Sequence, residues 1–180
     1  MKSAAKKLYV VGAPGFSPPD MAVLRRLRAR YHPSEASIIG PHVTFMFGID
    51  ADTWGELRPH VAAIAKATGP IDLALRRVSV QAEANSKRHY AFLVPEEGRT
   101  ALSALHRALH GGTFARWYGR ERPYDPHVTV GVFDGAEGAK DLAERLTRDG
   151  ISYAGRINQL DTVLTDGSSI VHYASMPLTG

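Results

Sequence analysis

The 180-residue sequence contains no cysteine. Disulfide bonds, thiolate metal sites and cysteine nucleophiles are therefore excluded. Long apolar runs are absent as well, because the run Leu-Tyr-Val-Val at 8–11 ends at Gly12 and Pro14 follows closely. A run of this length is too short for a secretory signal or a membrane span. We therefore expect a cytoplasmic protein with no membrane partner.

Motifs of several common enzyme classes are also missing. The sequence has no GxxxxGK[ST] phosphate loop, no GxGxxG fingerprint and no GxSxG nucleophile elbow. Nucleotide hydrolysis by a P-loop, Rossmann-type cofactor use and serine hydrolysis therefore lack the residues that they require. ATP-dependent ligation has no support either, and we expect no cofactor.

The charge is moderately basic. Lys and Arg number 22 against 18 for Asp and Glu, which gives a formal net charge of +4 at pH 7 and a pI of about 9.5. Most of these cations are arginines, whose planar guanidinium suits bidentate binding of phosphate. A solvated basic surface explains the same charge, so composition leaves nucleic-acid binding open.

Hydrophobic periodicity and turn residues predict alternating strands and helices. Predicted strands cover 7–13, 41–49, 71–82, 89–95, 126–133, 151–164 and 169–178, and predicted helices cover 17–32, 52–69, 98–112 and 135–150. The helix over 52–69 tolerates Pro59 only if this residue lies in or before the first turn. The order βαβαβ, βαβαβ, β is an internal repeat. It predicts two similar α+β lobes about a pseudo-twofold axis, and, without a linker-like stretch between them, a single domain over 1–180.

A short motif recurs at matching positions of the two halves. Pro-His-Val-Thr occurs at 41–44 and again, 85 residues later, at 126–129. Because side chains alternate along a strand, histidine and threonine share one face in each copy. Met46 is expected to share the face of the first pair. The opposite, apolar faces are expected to consist of Val43, Phe45 and Phe47 in the first copy and of Val128, Val130 and Val132 in the second.

Two such pairs across one cleft would supply the groups needed to cleave a phosphodiester without metal. One neutral imidazole can accept a proton from the attacking water while the other, protonated, donates one to the leaving oxygen. The threonine hydroxyls can bind the nonbridging phosphate oxygens. A single histidine would be explained equally well as a structural residue, and a single threonine as an ordinary strand residue. Their matched repetition favours function.

The motifs His42-Val43-Thr44-Phe45 and His127-Val128-Thr129-Val130, each after a proline, resemble those of the two-histidine (2H) phosphoesterase superfamily. Its members include the bacterial 2′-5′ RNA ligases, also called RNA 2′,3′-cyclic phosphodiesterases. The resemblance implies a bilobal α+β fold with two mainly antiparallel sheets around a central cleft. It also implies metal-free catalysis by His42 and His127, with phosphate contacts from Thr44 and Thr129. The substrate would be an RNA end or small nucleotide with a cyclic phosphate or 2′-5′ linkage, and no protein partner is implied.

Arginines and aromatic residues alternate over 114–126, directly before the second motif. A loop of this kind can stack a base and bind phosphate, and we interpret Arg122 and Tyr124 as its substrate contacts. A solvated loop with aromatic anchors in the core is the alternative. His106 and His110 have the i, i+4 spacing of metal ligands on a helix, but no HExxH pattern or acidic third ligand accompanies them, so no metal site is expected.

A non-catalytic RNA- or nucleotide-binding module using the same cleft is the competing function. Of the groups in the cleft, the two histidines are those that a site for binding alone needs least. Their presence in both halves therefore favours catalysis.

Overall fold

A computed structural model of the protein describes residues 6–119 and 123–180. Strands are β1 (Lys7–Gly12), β2 (Gly15–Phe16), β3 (Val43–Asp50), β4 (Ile71–Ala82), β5 (Arg88–Glu97), β6 (Val128–Asp134), β7 (Tyr153–Ile157), β8 (Gln159–Thr165) and β9 (Ile170–Pro177). Helices are α1 (Pro18–Tyr31), α2 (Pro33–Ala36), α3 (Trp54–Lys66), α4 (Arg99–Leu109) and α5 (Ala136–Arg148). Short 3₁₀ turns lie at Ala51–Thr53 and Gly112–Trp117.

The strands form two antiparallel sheets that exchange strands between the halves of the sequence. One sheet has the order β3-β1-β8-β9 and the other the order β2-β7-β4-β5-β6. In the first sheet the motif strand β3 pairs with β1 of its own half, and β1 pairs with β8 of the other half. In the second sheet the motif strand β6 pairs with β5 of its own half, and β5 pairs with β4 of the other half. The expected α+β fold with two antiparallel sheets is confirmed, and each sheet contributes one motif strand.

The helices follow the same exchange. α1 packs against the second motif strand, β6, whereas α4 packs against the first, β3. α3 lies on β8 and β9, and α5 lies on β4, β5 and β6. Each motif strand is therefore supported by a helix from the other half of the chain. None of the described helices combines the length and the apolar character needed to cross a lipid bilayer.

The first motif strand contains a β-bulge directly after its threonine. Thr44 and Met46 face consecutive residues of β1, so Phe45 between them is an extra residue. A bulge reverses the alternation of faces for the residues beyond it. Met46 is consequently fully buried, while Phe47 is 49% exposed. The prediction that Phe47 shares the core face with Val43 is wrong for this reason.

The second motif strand has its bulge at the equivalent position. Thr129 and Gly131 face consecutive residues of β5, so Val130 is the extra residue. Beyond it Phe133 packs against the core, with its ring centroid 5.6 Å from that of Tyr31. Val132 is only half-buried and does not continue the apolar face as predicted.

Two further predictions from the sequence are wrong. The predicted strand over 151–164 is two strands, β7 and β8, which belong to different sheets and are separated at Asn158. Pro59 lies beyond the first turn of α3. The helix tolerates it because its ring is exposed and the carbonyl that loses its partner belongs to exposed Gly55, where water can replace the missing hydrogen bond.

The glycine that joins β5 to α4 is a position where the backbone conformation can be tested. Gly98 has a φ of +81°, and a Cβ there would overlap the backbone oxygen of Asp72. We predict that Gly98→Ala lowers the free energy of unfolding by roughly 1–3 kcal/mol. Gly55→Ala, in a helix with open space around the site, should instead raise it by roughly 0.5–1 kcal/mol. Urea unfolding of both variants measures the difference, and an unchanged midpoint for Gly98→Ala would contradict the assignment.

Candidate active site

A cleft of about 450 Å³ lies between the two sheets. His42 and Thr44 line it from the first motif, and His127 and Thr129 line it from the second. In both motifs the proline and valine are buried while the histidine and threonine are partly exposed. The strand alternation that separates these faces, together with the exchange between sheets, brings all four side chains to one cavity.

Both imidazoles are anchored in the same way. Nδ1 of His42 lies 2.9 Å from the carbonyl oxygen of Gly40, and Nδ1 of His127 lies 2.7 Å from that of Asp125. Because a carbonyl only accepts, the neutral rings carry their proton on Nδ1. Among the described residues nothing hydrogen-bonds to either Nε2. Each Nε2 can therefore accept a proton in the neutral ring or donate one in the charged ring.

Burial sets the proton affinity of both rings. It lowers the pKa of His42 and that of His127 below the ordinary histidine value, while the hydrogen bonds to the Gly40 and Asp125 carbonyls oppose this effect. The charge of Glu35 also raises both pKa values, whereas the His127 ring lowers that of His42. The His127 ring is thus close enough to influence the pKa of His42.

Glu35 is a cleft residue that the sequence analysis missed. It lies on α2, a one-turn helix that was not predicted, and its carboxylate lies 3.0 Å from Nδ1 of His32 and 3.3 Å from the Arg28 guanidinium. Burial raises the pKa of Glu35, but His32, His42 and Arg28 together outweigh it and lower this pKa, so that Glu35 is ionised at neutral pH. Only its closeness in sequence to the first motif could have signalled a role.

Aromatic and apolar side chains form the remaining walls. Phe92 stacks on the His127 ring with centroids 3.8 Å apart, and Tyr90 stacks on Phe92 at 5.7 Å. The bulge in β3 turns Phe47 into the cleft, which has further apolar lining from Ile38, Ile39 and Ile170. This lining suits a flat organic group attached to a phosphate.

Tyr124 takes a different position from the one expected. It is not among the residues that line the cleft. Its hydroxyl donates a 3.0 Å hydrogen bond to the Thr44 carbonyl, and its ring stacks on His106 at 3.7 Å. Burial raises the pKa of Tyr124, so the phenol stays a donor. These contacts make Tyr124 a support of the first motif strand, behind the cleft.

His106 and His110 are structural in their contacts. Nδ1 of His106 lies 2.7 Å from the Phe45 carbonyl, and Nδ1 of His110 lies 2.8 Å from the His106 carbonyl. Within 6–119 and 123–180, no group of three or more His, Asp or Glu side chains is placed to bind a metal ion. Arg122 lies outside the described residues, and its contact with substrate stays a prediction.

The sequence model of the 2′-5′ RNA ligase superfamily matches residues 16–168, a span that includes both motifs. The chain belongs to the 2′-5′ RNA ligase superfamily. The family resemblance that the two motifs indicated is therefore confirmed. Members of this superfamily are phosphoesterases, which supports an enzymatic role in general terms. No curated protein matches the chain by sequence.

Solved structures share the fold at low sequence identity. LigT of E. coli in its apo form is 17% identical with a TM-score of 0.56, and the match covers 97% of this chain and 98% of LigT. TT0787 of Thermus thermophilus is 15% identical with a TM-score of 0.60, and the match covers 97% of this chain and 98% of TT0787. Usb1 of Kluyveromyces marxianus with uridine monophosphate is 12% identical with a TM-score of 0.59, covering 98% of this chain and all of Usb1.

The support from Tyr124 can be tested by removing one atom. Tyr124→Phe keeps the stack on His106 but leaves the Thr44 carbonyl without its donor. We predict a loss of about 0.5–1.5 kcal/mol in the free energy of unfolding, the net contribution of one such hydrogen bond. Tyr9→Phe, a tyrosine of the cleft wall without such a bond to a described residue, is the matched control. Equal unfolding midpoints for the two variants would count against this role.

The burial of His106 predicts a loss of stability in acid. Burial lowers the pKa of His106 to about 4 from its ordinary 6.5. Above pH 6.5 both folded and unfolded chains hold this ring neutral. As the pH falls from 6.5 to 4 the unfolded chain binds a proton that the folded chain does not, so stability falls by up to about 3 kcal/mol. His106→Asn places an amide N–H near Nδ1 without titrating, and its unfolding free energy should depend less on pH in this window. An equal dependence in both proteins would refute the assignment.

Proposed function

We propose that this protein is a metal-independent phosphodiesterase that opens a 2′,3′-cyclic phosphate, at an RNA end or on a nucleotide, or cleaves a 2′-5′ linkage. One observation carries the proposal: two histidine–threonine pairs line a single cleft, and each imidazole is held by Nδ1 to the carbonyl two residues before it. A cytoplasmic location, expected because the apolar run near the start of the sequence is too short for a signal or a membrane span, is part of the same proposal.

The reaction needs two proton transfers. One neutral imidazole accepts a proton through Nε2 from the attacking water, whose oxygen forms a bond to phosphorus. The P–O bond of the ring breaks, and the leaving ribose oxygen takes the proton from Nε2 of the second, charged imidazole. The product is a phosphomonoester with a free neighbouring hydroxyl. The proton bound by the base returns to the acid through solvent, which completes the cycle.

The threonine hydroxyls complete the site. Neither hydroxyl is hydrogen-bonded to a described residue, although both threonines line the cleft beside the histidines. They can donate to the nonbridging oxygens, on which negative charge increases in the transition state. Burial of the cleft strengthens such hydrogen bonds relative to those in water.

Nucleotides suit the size and lining of the cavity. LigT has been crystallised with 3′-AMP, and Usb1 with uridine monophosphate. A cleft of about 450 Å³ lies within the range of small-molecule sites, roughly 300–1,000 Å³. Aromatic rings at Tyr90, Phe92 and Phe47 provide surfaces on which a base can stack. These features support a nucleotide or RNA end as the substrate.

A direct assay decides between catalysis and simple binding. Purified protein is incubated with a nucleoside 2′,3′-cyclic phosphate in EDTA, and ring opening is followed by ³¹P NMR. We predict turnover that is unchanged by the chelator, because the proposed acid, base and anion-binding groups are all side chains. Binding without turnover would support the binding module instead. Loss of activity in EDTA, restored by Zn²⁺ or Mn²⁺, would contradict the metal-free mechanism.

Replacement of the two histidines tests their roles. His42→Ala and His127→Ala should each lower kcat/KM by on the order of 10²- to 10⁴-fold, the usual contribution of a positioned acid or base. The double variant should lose much less than the product of the single effects. Thr44→Ala and Thr129→Ala should lower turnover by less than the histidine changes do.

His89 provides a matched control for these variants. Its Nδ1 lies 3.1 Å from the Lys87 carbonyl, again two residues earlier, but it does not line the cleft. His89→Ala should therefore keep near wild-type activity. A folded His127→Ala protein with wild-type rates would overturn the mechanism.

A further inference from the structure

The two motifs have different neighbours where each imidazole is anchored. The residue that presents its carbonyl to Nδ1 is Gly40 in the first motif and Asp125 in the second. The two copies of the motif therefore have the same histidine and threonine but different residues around them. An acid and a base need opposite protonation states, so this inequality bears on which ring holds the proton.

Arg28 makes the first anchor different. It lies on α1 and is only 1% exposed, which is rare for arginine. Its guanidinium donates through Nη1 to the Gly40 carbonyl, the same oxygen that accepts from Nδ1 of His42. Nη2 lies 3.3 Å from the Glu35 carboxylate, and the buried Nε has no hydrogen-bond partner among the described residues.

We propose that Arg28 is a positioning residue that orients His42 and weakens its affinity for a proton, so that His42 is the base and His127 the acid in ring opening. This inference rests on the proposed function for the two roles. The orientation and the order of proton affinities do not depend on turnover.

The shared carbonyl is the first physical reason. A carbonyl oxygen that already accepts from a guanidinium has less electron density for a second donor, so it stabilises a charged His42 ring less. A buried cation near the ring disfavours a second positive charge as well. Arg28 also holds the backbone at Gly40, which sets the direction of the His42 ring two residues later.

The second anchor has the opposite charge. Asp125 carries a carboxylate beside the backbone that holds His127, and its Oδ1 lies 2.9 Å from a guanidinium nitrogen of half-exposed Arg99. The described titratable groups around the two rings are Arg28, His32, Glu35, Asp125 and the cleft tyrosines Tyr9 and Tyr90. Burial lowers the pKa of both rings; Arg28 lowers that of His42 further, whereas the charge of Asp125 opposes the effect of burial at His127. Glu35 raises both pKa values: at His42 it opposes and exceeds the effect of Arg28, and at His127 it adds to that of Asp125.

An NMR titration of the substrate-free protein tests the order directly. The ring signals of the two histidines, assigned with His42→Ala and His127→Ala, are followed against pH. We expect His42 to gain its proton at lower pH than His127. Coincident or reversed midpoints would overturn the proposal, even if the protein opens cyclic phosphates.

Substitution of the arginine tests its role. In Arg28→Met the His42 midpoint should move to higher pH while that of His127 stays in place. Because the base must be neutral, the acidic limb of the kcat/KM profile should move to higher pH as well. The optimum rate should fall on the order of 10-fold to 10²-fold as the ring loses its orientation. Arg28→Lys, which keeps the cation and one donor, should restore part of both effects.

The controls separate positioning from simple loss of structure. Arg26→Met, an exposed arginine on the same helix, should leave midpoints and rates unchanged. A lower rate in Arg28→Met with an unmoved acidic limb would show that Arg28 acts only on folding and would refute the proposal. If Arg28→Met does not fold, Arg28→Lys and the titration of the wild-type protein still test the role of Arg28. If ring opening is never observed, the titrations alone test the order of proton affinities.

Discussion

Each sheet of this protein combines strands from both halves of the chain. β8 pairs with β1, and β4 pairs with β5, so neither half can form its sheet alone. Because backbone groups of a central strand must be paired on both sides, β1 and β5 each need a strand from the other half as well as their own motif strand. Each motif strand is therefore joined, through the strand with which it pairs, to a strand from the other half.

Support for the motif strands also crosses between the halves. β3 is an edge strand, and its Thr44 and Phe45 carbonyls accept from Tyr124 and His106, which both come from the second half. The bulge at this point turns Phe47 towards the cleft while the buried hydrogen bonds keep the strand in place. Local irregularity that exposes a side chain at a site is thus compensated by polar contacts behind it.

The two copies of the motif are alike in sequence but have different neighbouring residues. The repeat places two imidazoles and two hydroxyls in one cleft. Acid–base catalysis requires the two rings to differ in protonation. In this chain the difference lies in the residues behind the rings, Arg28 and Gly40 on one side and Asp125 on the other.

The sequence by itself determined the family, the repeated order of elements and the four polar residues of the two motifs. Those features are local: strand alternation, helix periodicity and a repeated tetrapeptide are all read from neighbouring residues. Only the tertiary structure decided the strand exchange, the two bulges, the place of Tyr124 in the support of β3 and the presence of Glu35 and Arg28 at the site. Each of these depends on which distant backbone group a residue meets, as when Tyr124 reaches the Thr44 carbonyl 80 residues away. Pairing between distant segments has no local pattern, because it is set by the packing of the whole chain.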